Sequence, residues 1–434
     1  MLKVVDSVMG SGKTSYIIQL LKKSIQAYKV AFDTDVDSVP KYLVITPYLD
    51  QIDYIKEQVP EAIAPISTAK NKSENLIGLL QNKTDIILCT HNLLHRFSEF
   101  DLLKPYTILI DEAIDVIEVM YDDGEQDDSK TISVEDIQIL IKSGMARETE
   151  DRFIEWIGDE YKGLVYSNKD NNIYKYLLNK SLAIREDKVY KLLSPRLFDI
   201  CQDIYVFTYM FDAQNMYYYC RYFDIPFEYW HIIKDGDKYD VQKGKAEDSN
   251  HTYPIHIYDG ELNNIGKNGL TKNWFVKNAS ETEIDQLQRN IYNYLRNICP
   301  KFGVKANVGN IIWTTFKKYA GGIAKGNDKC TLDRKTKAGK EKKGNFVSCT
   351  ARATNNYRHA NVVAYAVNRY QKPEITRFFQ EKEGIVYDED KFALQEMLQF
   401  IWRSAIREGN PINGYIPSKR MRDMLNNWLN PVKP

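Results

Sequence analysis

Near the amino terminus, Ser7-Val8-Met9-Gly10-Ser11-Gly12-Lys13-Thr14 combines the side chains and spacing that phosphate chemistry needs. It follows a short apolar run and opens a helix-forming stretch, the context a phosphate-binding loop requires. Glycines at 10 and 12 let the backbone curl, so that its N–H groups and that of Ser11 face phosphate oxygens. The helix beginning there adds the positive end of its dipole. In this pattern Lys13 reaches the β and γ phosphates of ATP, and the Thr14 hydroxyl ligates Mg²⁺. The strict motif opens on glycine, whereas Ser7 stands at that position. The compact Gly-Ser-Gly-Lys-Thr core carries the reading.

A second chemical pair lies about a hundred residues on, where Thr107-Ile108-Leu109-Ile110 runs into Asp111 and Glu112. Asp111 at the end of a strand can hold Mg²⁺ through water, because this ion keeps much of its hydration shell. Glu112 can orient and deprotonate an attacking water. Open α/β sheets gather ligands at the carboxyl ends of their strands, so both acids are expected to face the site begun by Lys13. Alone, an acidic pair after a strand is often a helix cap. Coupled to the upstream loop it reads as hydrolytic.

The elements that must hold these groups are legible as alternating apolar runs and helical stretches. Lys3–Val8, Tyr42–Thr46, Asp85–Cys89 and Thr107–Ile110 read as buried parallel strands, with helices over Thr14–Tyr28 and Leu49–Val59. That alternation predicts an α/β layer. The acidic stretch Asp122–Asp128 reads as a solvated loop. Residues 134–200 are expected to form a mostly helical insertion with a loop near Ser167–Asn172, after which Ile204–Thr208 resumes the strands. Polar Asp235–Ser249 is the expected linker. Beyond it, Ile255–Tyr258, Ile311–Thr315, Val347–Cys349 and Val362–Val367 read as strands, and Ala393–Glu408 and Ser418–Leu429 as helices. The expected domains are 1–235 and 250–434.

Composition narrows the class. A chain of 434 residues exceeds one ordinary domain. Its 43% hydrophobic and 27% charged residues are those of a folded globular protein. Lys plus Arg and Asp plus Glu number 59 each, so any polyanion site must come from local clustering. Six cysteines are scattered without a C-x-x-C pair, which argues for buried thiols rather than zinc or disulfides. His91 and His95 stand four apart, but Asn92 replaces the glutamate a zinc protease needs, and they read as helix-start residues. No run approaches the ~20 apolar residues of a membrane span. The first strand begins within a few residues of Met1, leaving no room for a cleaved signal, and a cytoplasmic location is expected.

On these motifs the chain resembles superfamily 2 helicases of the DEAD/DEAH-like kind, in the compact form found in bacteriophages and other viruses. Ser7–Thr14 resembles motif I, with Gly10, Ser11, Gly12, Lys13 and Thr14 as the nucleotide-binding residues, and Asp111-Glu112-Ala113-Ile114 resembles motif II. Thr46-Pro47 with Gln51 resembles motif Ia, and Thr90-His91 the later backbone-contacting motif of the same domain. Val206-Phe207-Thr208-Tyr209-Met210 resembles motif III, with Thr208 in the coupling position. Tyr209 and Met210 depart from the family's small and hydroxyl residues there. Ile312–Lys317 resembles motif IV, with Thr315 toward nucleic acid. Arg352-Ala353-Thr354-Asn355 resembles motif V, in which Thr354 touches the backbone and Asn355 senses nucleotide state. Gln399–Arg407 resembles motif VI. On a continuous helix Gln399, Arg403 and Arg407 share one face, and Arg403 and Arg407 are both candidates for an arginine finger within the chain.

Between motifs IV and V, Lys325, Lys329, Arg334, Lys335, Lys337, Lys340, Lys342 and Lys343 crowd one segment. It reads as a phosphate-binding loop beside a nucleic-acid channel, as a strand-separating hairpin, or as a solvated loop. The resemblance implies two RecA-like P-loop domains with parallel sheets, the first carrying the helical insertion. It also implies an ATP- and Mg²⁺-dependent enzyme that translocates on and unwinds single-stranded or forked nucleic acid, DNA before RNA, among replication proteins and away from membranes. The alternatives are a translocase or remodeller without strand separation, a packaging-type motor ATPase, and a nucleic-acid-binding protein that has lost catalysis.

Overall fold

The computed structural model describes residues 1–434 apart from 32–39, 67–70, 121–130, 151, 160–167, 202, 247–252, 266–268, 279, 336–340, 350–355 and 432–434. The chain divides into two compact units. Unit 1 is Met1–Ala246 with Lys372–Tyr387, and unit 2 is Glu247–Gln371 with Asp388–Pro434.

Unit 1 contains, in chain order, β1 (Leu2–Asp6), β2 (Lys41–Thr46), β3 (Ile86–Thr90), β4 (Tyr106–Asp111), β5 (Ile117–Val119) and β6 (Ala146–Glu148). It continues with β7 (Phe153–Trp156), β8 (Leu182–Arg185), β9 (Lys188–Leu192), β10 (Ile204–Thr208), β11 (Phe227–Asp235) and β12 (Lys238–Lys243). Its helices are α1 (Lys13–Ala31), α2 (Leu49–Gln58), α3 (Lys72–Gln81), α4 (His91–Leu94), α5 (Val134–Lys142), α6 (Asn168–Leu178), α7 (Arg196–Ile200) and α8 (Asn215–Tyr222).

The main sheet runs β12-β11-β1-β10-β4-β2-β3. Every neighbour pair is parallel except β11–β12, an antiparallel edge hairpin. Near-continuous apolar strands such as Ile108-Leu109-Ile110, fully buried, are what a sheet covered on both faces demands. Helix α1 lays Ile17, Leu21 and Ile25 on it at i, i+4, i+8 spacing, in one core with Val5, Val44, Leu88, Leu109 and Phe207.

Two expectations for this half are corrected. The insertion is not mostly helical: β5-β9-β8-β7-β6 form a five-stranded antiparallel sheet. Its strands are three to five residues long, too short for period-2 alternation to stand out in sequence. Helices α5 and α6 close its core through Ile137, Ile173 and Leu177 against Ile154, Leu182 and Val189. A Ser133–Asp136 capping box starts α5, and Asn168–Asn172, expected as loop, opens α6. The expected linker is also partly strand, because Lys238–Lys243 is β12. Its alternation of polar residues with Tyr239 and Val241 fits an edge strand with one face packed. The acidic stretch Asp122–Asp128 lies outside the described residues.

Unit 2 contains β13 (Ile255–Ile257), α9 (Glu281–Asn293), β14 (Ile311–Thr314), α10 (Ala320–Ala324), β15 (Arg334–Lys335), β16 (Glu341–Lys342) and β17 (Val362–Tyr365). After β17 the chain supplies α11 (Pro373–Gln380) to unit 1, then returns with α12 (Glu389–Ile401), β18 (Ile412–Tyr415) and α13 (Lys419–Leu429). Its sheet, β13-β18-β17-β14, is parallel throughout. Val347–Cys349 is not a strand: the backbone there meets β14 through a single bridge, Trp313 to Phe346. Asn345 fixes it instead, its side-chain oxygen accepting from Trp313 Nε1 at 3.0 Å and from Thr331 N at 2.8 Å.

The excursion of 372–387 is an aromatic arm. Phe378 and Phe379 are buried, Phe378 stacks with Tyr222 at 4.9 Å, and Tyr387 stacks with Tyr218 at 4.1 Å. Buried Arg185 donates to Glu381 at 3.1 Å. Sequence spacing alone places this stretch wholly in the second domain.

Candidate functional site

The loop between β1 and α1 is held at both flanks. Ser7 N donates to Thr208 O at 3.0 Å on β10, and Ser7 Oγ accepts from Ile232 N at 2.8 Å on β11. A serine at the position where the strict motif has glycine therefore ties the loop to its neighbour strands. Gly10 and Gly12 lie at φ +82° and +96°, the left-handed region that favours glycine. Tyr16 N donates to Gly12 O at 2.8 Å, the first helical bond of α1.

Lys13 is 8% exposed, and its ammonium donates to the carbonyls of Ser7 at 2.6 Å and Val8 at 3.1 Å. A buried cation needs such partners. The same two loop carbonyls are groups that phosphate oxygens can replace. Ser11 Oγ, shielded from solvent, has no hydrogen-bond partner among the described residues. A buried hydroxyl left unsatisfied in a glycine-rich loop fits an acceptor supplied by a ligand.

The loop and the acidic pair meet. Thr14 Oγ1 donates to Asp111 Oδ2 at 3.1 Å. Asp111 is 3% exposed at the carboxyl end of β4, and buried His91 lies with Nε2 3.2 Å from its carbonyl oxygen. Glu112 follows at φ +67°, while its N–H donates to Phe207 O at 2.9 Å. A non-glycine residue held in that region costs on the order of 1–3 kcal/mol, which the Glu112–Phe207 backbone bond helps to offset. Thr14 and Asp111 thus bring together two hard oxygens of the type Mg²⁺ takes, leaving positions for phosphate and water. Among the described residues no group of three or more His, Cys, Asp or Glu could hold a metal alone.

Asp6, which sequence reasoning missed, closes the far side. Its carboxylate accepts from Met210 N at 2.8 Å and Phe211 N at 3.0 Å, holding Met210 at φ +53°. Burial pushes the Asp6 carboxyl above its ordinary value, against the opposing pull of those N–H groups and of Lys13. Thr208 is fully buried, and its hydroxyl accepts from Gln214 Nε2 at 2.8 Å. No local pattern marks Asp6; only its place as the last residue of β1 does.

The remaining candidates have surroundings of their own. Thr46 Oγ1 donates to Tyr48 O at 3.1 Å, and Thr90 Oγ1 accepts from Leu93 N at 3.3 Å as the cap of α4. Thr315 is fully buried in unit 2, its hydroxyl without a partner among the described residues. Gln399, Arg403 and Arg407 do not share a helix face, because α12 ends at Ile401. Ser404 Oγ donates to Ile401 O at 2.6 Å and Ala405 N turns to Ala360 O at 2.8 Å, which together divert the chain. Arg403 is 3% exposed, over the Phe400 ring at 5.4 Å, with Nη1 3.4 Å from Ser348 O. Arg407 is exposed on a separate 3-10 turn, Ala405–Glu408. In the basic segment β15 and β16 pair as a short antiparallel ribbon exposing Lys335 and Lys342, with Lys343 next to it. Lys337, Lys340, Thr354 and Asn355 lie outside the described residues.

Residues 249–429 match the family described as YonV C-terminal Rossmann-like domain. Over 451 aligned residues, covering 98% of this chain and 98% of the relative, the sequence is 32% identical to the SPbeta prophage-derived uncharacterized protein YonV of Bacillus subtilis (strain 168). Among solved structures, that of S. tokodaii Xpd4 aligns over 98% of this chain and 93% of its own, with 13% identity and a TM-score of 0.47. A likeness at that level says nothing about function.

Proposed function

The chain belongs to the family of the prophage-derived protein YonV, and from its phosphate loop and acidic pair we propose that it is a phage-type ATPase that acts on nucleic acid, a helicase or translocase. The observation that carries the reading is the 3.1 Å bond from Thr14 to Asp111, which joins the phosphate loop to the carboxylate pair. In the proposed cycle Lys13 leaves the carbonyls of Ser7 and Val8 for the β and γ phosphates, and Ser11 Oγ donates to the phosphate chain. Thr14 and Asp111 would hold Mg²⁺, which draws charge from the phosphate oxygens. Glu112 takes a proton from water as the water oxygen bonds the γ phosphorus and the bond from that phosphorus to the β–γ bridging oxygen breaks, giving ADP and phosphate. Of the two arginines, Arg403 is buried within unit 2 and Arg407 is exposed on its surface.

The deciding experiment measures ATP hydrolysis by the full chain with no polymer, single-stranded DNA, duplex DNA and RNA in parallel. Stimulation by single strands, abolished by Lys13→Ala, is expected. Unchanged turnover in Lys13→Ala would sink the assignment. A forked-duplex assay then separates unwinding from translocation alone.

No helix among the described residues is long and apolar enough to cross a membrane.

A further inference from the structure

The edge hairpin of unit 1 bears directly on the phosphate loop. A Cβ added to Gly12 would collide with ring carbons Cδ1 and Cε1 of Tyr239 on β12, so the phenol ring packs against the loop backbone one residue before Lys13. The hairpin that carries this ring is anchored at several points. Tyr239 N donates to Gln19 Oε1 at 3.0 Å, and Gln19 Nε2 donates to Asp237 O at 2.6 Å, tying β12 to α1. Ile232 N donates to Ser7 Oγ at 2.8 Å, tying β11 to the loop itself. The ring is partly exposed, and Lys234 Nζ lies 5.5 Å from its centroid.

Sheet order gives this placement a meaning. In β12-β11-β1-β10-β4, the loop after β1 has Asp111 on one side and Tyr239 on the other. On the nucleotide-binding reading, the Thr14–Asp111 bond would mark the γ-phosphate end of a bound triphosphate. A phosphate chain running from there along the loop, away from β4, would lead toward the hairpin, and the ribose and base would then emerge beside Tyr239.

We propose that Tyr239 is the base-binding residue of this site, stacking on the nucleobase of a bound nucleoside triphosphate. The inference rests on the nucleotide-binding reading above and deepens it. A stacked ring reads the π-face, which every base has, and gains with ring area. Selection is therefore by size: purine triphosphates bind better than pyrimidine ones, while ATP and GTP bind comparably. Tyr239 also explains why position 12 must be glycine for a second reason besides its φ, since any side chain would displace the ring.

The test uses the full chain and ethenoadenosine triphosphate as fluorescent probe, competed by ATP, GTP, CTP and inorganic tripolyphosphate, which has phosphates and no base. Tyr239→Phe should behave as the parent. Tyr239→Ala and Tyr239→Leu, the latter keeping apolar bulk on Gly12, should each weaken ATP and GTP about tenfold, the scale of one base–aromatic stack, and leave tripolyphosphate within about twofold. An equal loss for tripolyphosphate would mean that the ring only shapes the loop, and a gain for every ligand that it obstructs the loop; either overturns the proposal. So does unchanged ATP affinity in both variants. Lys13→Ala separates the two levels: if it abolishes tripolyphosphate binding while Tyr239→Leu alters nothing, the phosphate site stands and the base site falls. If the parent chain binds none of the ligands, both fall.

Discussion

Single residues in this protein do different work according to whether they are buried or exposed. Glu112→Gln keeps Thr14 and Asp111 together and should still bind Mg·ATP, but turn it over about 10²-fold more slowly or worse, as loss of a general base does. Filter binding beside single-turnover hydrolysis checks this, and failure to bind nucleotide would reassign Glu112. The two arginines should part company. Arg403→Ala removes a buried guanidinium from Phe400 and the Ser348 carbonyl, so it should cost about 2 kcal/mol or more in urea unfolding. Arg407→Ala, on an exposed turn, should leave stability within about 0.5 kcal/mol. A finger role for Arg407 requires that this variant also lose turnover by about 10³-fold at unchanged ATP affinity. Normal hydrolysis would end that role. The six cysteines are all buried, and burial pushes the Cys89, Cys201 and Cys220 thiols up to about 12. At pH 8 these three should resist iodoacetamide in the folded chain and react fully in guanidinium, because only thiolate attacks. Mass spectrometry counts the adducts.

At the scale of elements, the parts that depart from a simple alternating α/β reading carry the testable energetics. The arm around α11 is fastened to unit 1 by aromatic burial: Phe379 is fully buried near Tyr218, Tyr222 and Tyr387. Phe379→Ala should cost about 3–5 kcal/mol, as truncation of a buried phenylalanine does. Denaturant midpoints at unchanged slope would check it. A cost below about 1 kcal/mol would mean the arm is only loosely laid on the unit. The ribbon of β15 and β16 is the opposite case, exposed and basic, with its base clamped by Asn345. Neutralising Lys335, Lys342 and Lys343 should weaken single-strand binding at every sequence alike. It should also flatten log K against log salt by about 0.7 for each phosphate that is no longer neutralised. An unchanged slope returns the ribbon to a solvated role.

For the molecule as a whole, the decisive feature is that its two units are not consecutive in the chain. Residues 372–387 leave unit 2 between β17 and α12 and finish in unit 1. A cut near the 247–252 segment would not yield two self-sufficient halves. A fragment of residues 247–434 would carry Phe378 and Phe379 stripped of Tyr190, Tyr218 and Tyr222. Limited proteolysis of that fragment should therefore cleave first within 372–387, while the full chain is protected there. Equal protection in both would mean that the arm folds back on unit 2 when alone. Motif spacing divides the chain into two regions, but does not show that residues 372–387, inside the second, pack with the first.

What the sequence determined by itself is what depends on neighbours along the chain. The strand, loop and helix from Leu2 to Ala31 are contiguous, and glycine, lysine and threonine each have a local reason to stand where they do. The run into Asp111 and Glu112 is equally local, and the strand alternation of the first sheet is readable because apolar runs of five or six residues are buried on both faces. The tertiary structure alone decided which distant groups complete those pieces. The helix carrying Gln399 stops at Ile401 because Ser404 and the backbone at Ala360 take over the chain's hydrogen bonds. The insertion is a sheet because strands of three to five residues gain their hydrogen bonds from one another, not from periodicity. Asp6 meets Met210 and Phe211, and Tyr239 meets Gly12, only across the fold. A side chain's type and spacing announce the chemistry it can do, whereas burial and pairing across the fold choose the partner with which it does it.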